Sequence, residues 1–333
     1  MLYALILNAV LVIVPFGFVE QASSPKSQTP AIKLRVAIID FARAKADSSA
    51  ISPDSGLREA LSRDDRVIVI DTLMMQAALA GIRYAGSINM SRDEARRLGS
   101  AIGCDVFIIG KTEALTRSER ERESHEDAYA GVLIVDGRTG ALAAFDFISE
   151  KAVSREAAVQ GVSRTVAART VSYVDRMLAY RAEAQTPPRY LIEPIEDIPD
   201  EGSPRATGFT PPEFLNRVKP DYPAQAEQAD ITATVEALAV LRANGEVGAV
   251  EITRWAGFGL DESAERAIRQ LKFKAATRDG KPINVRALIR YNFRRVSEPS
   301  NRAEQPALQP PPDKPVRDLR KLFKPKYRRP NAD

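Results

Sequence analysis

Residues 282–293 read Pro-Ile-Asn-Val-Arg-Ala-Leu-Ile-Arg-Tyr-Asn-Phe. Ile283, Val285, Ala287, Ile289, Tyr291 and Phe293 fall on one face of an extended chain. Asn284, Arg286, Arg290 and Asn292 fall on the other, and only Leu288 breaks the alternation. A period of two with one apolar face describes a half-buried strand, covered on one side and wet on the other. No further strand pattern follows, so an edge position with unpaired backbone groups is expected.

Working outward from this strand, nearly every boundary is marked. Asp279-Gly280-Lys281-Pro282 is a turn. Before it, Leu260, Ala264, Ala267, Ile268 and Leu271 sit at helical spacing and make the natural cover for the apolar face of the sheet. Asp261 and Glu262 in the first turn of that helix suit its dipole. Val235, Ala237, Ala239 and Leu241 form one strand face; Val247, Val250 and Ile252 populate the next strand. Asn244-Gly245 between them predicts a two-residue hairpin turn with positive φ at both positions. Lys219-Pro220-Asp221-Tyr222-Pro223 leads in, with Tyr222 and Pro223 expected to fix the start of the module. The fold class is α+β: a three-stranded antiparallel sheet with helices over residues 212–297.

These residues also carry a family resemblance. Tyr222-Pro223, Asn244-Gly245-Glu246-Val247, Gly259-Leu260-Asp261, Ala264, Leu271-Lys272-Phe273, Ala276 to Pro282 and Tyr291-Asn292-Phe293 resemble, in order and spacing, the C-terminal domain of TonB-family proteins. Asp230-Ile231-Thr232, Leu271 and Ala275 depart from that pattern, which has Gly, Trp and Pro there. The resemblance covers roughly a quarter of the chain. It implies a periplasmic domain that pairs its edge strand with an extended peptide, as in TonB-dependent transmembrane transport. In that mode backbone hydrogen bonds give affinity and alternate side chains give selectivity. The implied partner-binding residues are Tyr222, Pro223 and the edge Val285, Arg286, Ala287, Leu288, Ile289, Arg290 and Tyr291, with Arg286 and Arg290 selecting acidic side chains. The implied partner is an outer-membrane receptor or another envelope protein.

Residues 31–184 read as a second, separate α/β unit. Leu34 to Phe41, Val67 to Ile70, Val106 to Ile109 and Val132 to Val135 are buried-type strands, and Asp136 to Gly140 turns into Ala141 to Phe147. Asp71 is placed to cap a helix bearing Leu73, Ala77 and Ala80. Ser91-Arg92-Asp93-Glu94 is a capping box, with Gly103 as the stop. One long helix is expected to carry Val162, Val166, Val174, Met177 and Leu178. Alternating strands and helices followed by a run of strands predict an α/β sandwich with a mixed sheet. Val36 to Phe41, Val69-Ile70-Asp71, Leu98 to Asp105 and Leu133 to Gly140 resemble the α/β domain of CsgG-like and LpoB-like envelope proteins, which are non-enzymatic assembly or regulatory factors.

Composition narrows the function classes. A chain of 333 residues with 44% hydrophobic and 28% charged residues holds two domains with real cores. A formal net charge of +4 gives no argument for nucleic acid. One Cys and one His exclude a disulfide framework and Cys- or His-rich metal sites. His125 lies in a charged run, Arg117 to Asp127, and Cys104 reads as a small buried hydrophobe. Asp40, Asp71, Asp105 and Asp136 at strand ends leave a metal-dependent enzyme open as a third reading, against their ordinary use as helix caps and turn starters. No phosphate-cradling or dinucleotide fingerprint fits. The reading is non-enzymatic, without cofactor or metal.

Leu2 to Val14 is apolar apart from Asn8, the run extends through Pro15 and Gly17 to Val19, and an 18-residue helix spans about 27 Å. Residues 1–24 are therefore expected to be a signal peptide or a membrane anchor, which places the protein in the periplasm. Residues 185–211, rich in Pro, Glu and Asp, predict an extended, poorly folded spacer. Residues 298–333 predict a Pro-rich basic tail able to meet an anionic membrane surface. Two readings result: a TonB-family interaction protein, or an envelope assembly or regulatory factor working through 31–184.

Overall fold

Long β-branched runs between capped helices build the first half of the chain. The computed structural model describes residues 33–39, 41–43, 53–117, 125–184 and 194–295. In order these are β1 (Leu34–Ile38), β2 (Ala42–Arg43), α1 (Pro53–Ser62), β3 (Val67–Val69), α2 (Thr72–Gly81), β4 (Met90–Ser91), α3 (Arg92–Ile102), β5 (Val106–Arg117), β6 (His125–Asp136), β7 (Leu142–Ala152), α4 (Arg155–Ala168) and α5 (Thr170–Ala184). The sheet runs β3-β1-β5-β6-β7, parallel across β3, β1 and β5 and antiparallel from β5 to β7. Val36, Ile38, Val106, Ile108, Val132 and Ile134 pack with Leu57, Leu61, Val162, Val166 and Val174. Ala37, Ile39, Phe107, Ile109, Leu133 and Val135 pack on the other face with Met75, Ala95 and Leu98. Apolar side chains on both faces of a strand are what a sheet covered on both sides requires. The α/β sandwich with a mixed sheet forms as expected.

The capping signals hold. Asp71 accepts from Leu73 N and Met74 N, Ser91 and Glu94 form the reciprocal box, and Gly103 ends α3 at φ 72°. The single long helix does not form; it breaks into α4 and α5 at Arg169. There the Arg169 guanidinium reaches buried Asp146 at 2.8 and 2.9 Å, and Tyr173 Oη donates to the same carboxylate at 2.9 Å. Holding Arg169 on Asp146 fixes the break.

The second half contains β8 (Ile195–Asp197), β9 (Phe209–Thr210), β10 (Glu213–Phe214), α6 (Ala224–Gln228), β11 (Ala233–Leu241), β12 (Val247–Trp255), α7 (Leu260–Arg269), β13 (Phe273–Lys274), β14 (Thr277–Arg278), β15 (Lys281–Pro282) and β16 (Asn284–Phe293). The antiparallel core β12-β11-β16 appears as predicted, with α7 laying Leu260, Ala264, Ala267 and Ile268 on it. The sheet is larger than expected, however: its order is β4-β12-β11-β16-β8, with an added strand at each end. The two turns also exchange types. Arg242 N donates to Glu246 O at 2.9 Å and only Gly245 takes positive φ, so Asn244-Gly245 belongs to a three-residue loop with a bulge. The two-residue turn with positive φ at both positions is Asp279-Gly280, at 48° and 77°.

Residues 194–211, expected to be a poorly folded spacer, instead follow the module. β8 pairs with β16, β9 with β14, and β10 continues the wrap onto β13. The expectations for residues 1–24, Asp40, residues 185–193 and the tail from 298 lie outside the described residues.

The two halves are not separate bodies; the described residues up to Arg294 form one compact unit. β4 from the first half pairs antiparallel with Arg254 and Trp255 at the end of β12. Trp255 is buried among residues of the first half, and its indole donates to Gly140 O at 3.0 Å. Asn89 stitches the seam by donating to Thr234 O and Trp255 O and accepting from Thr234 N. Just beyond, Gly257, Phe258 and Gly259 all take positive φ, which costs a bulky side chain of order 1–3 kcal/mol. The loop drives Phe258, 0% exposed, onto Phe145 at 4.9 Å and Phe147 at 6.0 Å. It fits only because Gly131 has no side chain: a Cβ there would lie 2.4 Å from the Phe258 ring.

Asp261 holds this loop, accepting from Ala256 N at 2.9 Å and Gly257 N at 2.8 Å. Burial pushes its carboxyl from 3.8 up to about 7, against the downward pull of those two bonds. The folded chain thus keeps a proton that the unfolded chain releases near 3.8, so this contribution to stability is whole below that value and is lost as pH rises through about 7. Asp261→Asn is expected to flatten stability against pH between about 4 and 7, measured by denaturant unfolding at several pH values. Phe258→Ala is expected to cost about 3–5 kcal/mol and to split one unfolding transition into two. Trp255 fluorescence and far-ultraviolet dichroism should then separate, where in the parent chain they are expected to coincide.

Candidate interaction edge

β16 carries the predicted edge residues, and its alternation is as read from sequence: Val285, Ala287 and Phe293 are buried, whereas Arg286, Leu288, Arg290 and Asn292 are exposed. Leu288 is the exception in chemistry, an apolar side chain 57% exposed opposite Leu238. On its inner side the strand pairs with β11 at nine positions, from Val285 with Leu241 to Phe293 with Ala233. On its outer side β8 runs parallel and pairs Ile195 with Asn284, Glu196 with Val285 and Asp197 with Arg286. Val285 and Arg286, expected to be open, are therefore already paired. The physical reason is that a short stretch bounded by Pro194 and Pro199 lies in reach of the edge and supplies backbone partners. From Ala287 to Phe293 the outer ladder has no strand partner among the described residues.

The two arginines are also engaged. Arg286 lies 3.6 Å from Asp197, both side chains well exposed, so this pair is screened and weak. Arg290 reaches Glu236 at 2.6 Å, and Glu236 also lies 3.8 Å from Arg254. Tyr291 is half-buried, which raises its phenol above the ordinary 10.0, and its ring lies 6.5 Å from Phe293. Thr234 Oγ1 donates to Asn292 Oδ1 at 2.9 Å across the open face.

Tyr222 and Pro223 are not part of this edge. Tyr222 Oη donates to Ile231 O at 2.6 Å, closing the turn around α6, and Pro223 is the N-cap of α6 and lies against Gly259. Their contacts shape the turn around α6 from within the module.

Sequence reasoning missed Arg278. Its guanidinium binds Glu196 at 2.5 Å, donates to the carbonyls of Arg205 and Thr207 at 2.7 and 3.1 Å, and lies over the Phe209 ring at 5.2 Å. One residue thereby holds both β8 and β9. The acids considered for a metal are structural where described. Asp71 caps α2; Asp105 accepts from Arg35 N and pairs with Arg181; Asp136 accepts from Arg138 N and Thr139 N. Cys104 is buried, and burial pushes its thiol up to about 12. Among the described residues no helix is long and apolar enough to cross a membrane.

Residues 218–294 match the family model for the Gram-negative bacterial TonB protein C-terminal. No curated protein matches the chain. Among solved structures, the TonB C-terminal domain of Pseudomonas aeruginosa shares 16% identity, covering 31% of this chain and 97% of that one, with a TM-score of 0.24. The hypothetical protein CT253 from Chlamydia trachomatis shares 16% identity over 43% of this chain and 98% of its own, with a TM-score of 0.31. The LpoB C-terminal domain from Salmonella enterica shares 8% identity over 37% and 86%, with a TM-score of 0.25.

The division of faces along β16 sets an expectation for stability. Leu288→Ser should change it by no more than about 0.5 kcal/mol, whereas Val285→Ser should cost about 2–4 kcal/mol, both read by urea unfolding.

Proposed function

We propose that this is a cell-envelope protein that works by protein–protein interaction, adding an extended segment of a partner to β16 along Ala287 to Phe293. The observation that carries the reading is the asymmetry of that strand. Its inner ladder pairs with β11 from Val285 to Phe293, while no strand among the described residues pairs with its outer side over Ala287 to Phe293. The match of residues 218–294 to the TonB C-terminal family supports a partner from the envelope, such as an outer-membrane receptor. The action is one of pairing, without catalysis. The location proposed is the periplasm, with residues 2–19 serving for export or for tethering to the inner membrane. Residues 298–333 are proposed to meet an anionic membrane surface.

A second reading has its own observation. Helix α2 carries no ionisable residue from Thr72 to Gly81 and leaves Leu73 76% and Met74 68% exposed beside Ile82. An apolar helix face in water is the mark of a docking surface, and it would make the first half an assembly or regulatory module.

The two are separated by peptides taken from the periplasm-facing segments of outer-membrane receptors. Strand addition predicts that N-methylation of alternate peptide bonds lowers affinity at least tenfold, because each lost backbone bond is worth about 1 kcal/mol. Met74→Glu should leave that affinity unchanged. Peptides whose binding ignores N-methylation would remove the strand-addition reading.

A further inference from the structure

The segment that closes the start of the β16 edge resembles a guest more than a core strand. β8 is three residues long, and Ile195 and Ile198 remain substantially exposed, so no apolar anchor holds it. It is held by three ladder positions, by Glu196 on Arg278, by Asp197 near Arg286, and by Asn284 Nδ2 donating to Pro194 O at 3.3 Å. Its flanks limit it. Pro194 precedes the pairing, and Pro199, lacking an N–H, stands where the ladder would otherwise run on past Ile198 toward Leu288. The chain then turns away, with Ser203 N donating to Asp200 O at 3.1 Å. Beyond the turn the chain is fastened independently: β9 pairs with β14, and Arg278 holds the Arg205 and Thr207 carbonyls. Release of β8 therefore leaves the rest of the wrap in place.

We propose that residues 194–199 are a tethered stand-in for the guest strand, an acidic strap that covers Asn284 to Arg286 and that a partner must displace to pair with all of β16. This rests on the strand-addition reading above. It also specifies the partner's chemistry: an extended segment with adjacent acidic side chains, one for Arg278 and one for Arg286, continuing into residues that pair with Ala287 to Phe293. A partner without those acids gains only the part of the edge that is already open. The strap acts by mass action, since a short tether presents it at a local concentration on the order of millimolar.

The test uses the full chain and a synthetic peptide copying residues 191–200, followed by chemical shifts of the amides from 284 to 293. The chain carrying Glu196→Lys with Asp197→Lys, its fold checked by Trp255 fluorescence, is expected to bind this peptide at least tenfold more tightly than the parent chain. Glu196→Gln with Asp197→Asn serves as a milder second variant and should move affinity in the same direction. Adding Arg278→Glu to either variant should abolish the gain. Equal affinity for parent and strap variants, or no binding by the variants, overturns the proposal. A receptor-derived peptide that carries two adjacent acidic residues followed by a seven-residue extended segment distinguishes the underlying reading. If it binds parent and variants equally, through amides 287–293, the edge stands and the strap has no role. If it binds neither while the 191–200 peptide behaves as expected, the strap stands and the assigned partner class falls.

Discussion

The insertion of Trp255 and Phe258 into the first half of the chain governs the rest of the arrangement. Both side chains lie at the end of β12, and their burial fixes which end of the C-terminal sheet meets the other half. Because Asn89 and β4 close over Arg254 and Trp255, the β12 side of the sheet faces its own chain. The opposite side, at β16, is the one left for the proposed strand addition. The strain of the positive φ at Phe258, between two glycines that take positive φ freely, is offset by burying its aromatic ring in a slot that Gly131 keeps open.

This fusion also changes what a TonB-type module can do mechanically. A module on a flexible spacer reorients freely and searches a large volume. Here the module shares a sheet with an α/β body, so the edge of β16 is presented at a fixed angle to that body. The wrap from β8 to β10 removes still more freedom, because the segment that sequence composition marks as a spacer is bound along the module at β16 and β14.

The parts of the fold legible in the sequence were those in which a single local rule decides. Period-two alternation placed β16 and both its faces, down to the exposed Leu288, because backbone pleat alone sets them. The capping box at Ser91 and the left-handed stop at Gly103 were legible for the same reason. Asn244-Gly245 and Asp279-Gly280 carry the same kind of signal, yet only the second is a two-residue turn; the Arg242–Glu246 pairing sets a longer loop at the first. The helix break at Arg169 depends on a carboxylate 23 residues away, and local periodicity holds no record of it. β8 was illegible because the four residues between Pro194 and Pro199 have no pattern beyond their acidity, which read as disorder. The fusion of the halves had a signal that went unused: apolar residues continuing past the end of a strand, in Trp255-Ala256-Gly257-Phe258, have no reason to be there unless something covers them.

The charges along the edge argue where selectivity resides. Arg290 faces a shielded carboxylate, Glu236, which it shares with Arg254, and an incoming acid must compete with a partner 2.6 Å away. Arg286 faces Asp197 at 3.6 Å with both side chains in water, a pair that solvent screens and that an incoming acid replaces at little cost. Arg278 differs again: its two backbone carbonyl partners and the Phe209 ring keep it oriented whether or not Glu196 is present. An oriented guanidinium loses less rotamer freedom on meeting a carboxylate than a free one. In the proposed mode, recognition of acidic side chains would therefore be concentrated at Arg278 and Arg286, at the β8-covered end of the edge, while the end from Ala287 onward would contribute backbone pairing and the exposed apolar surface of Leu288.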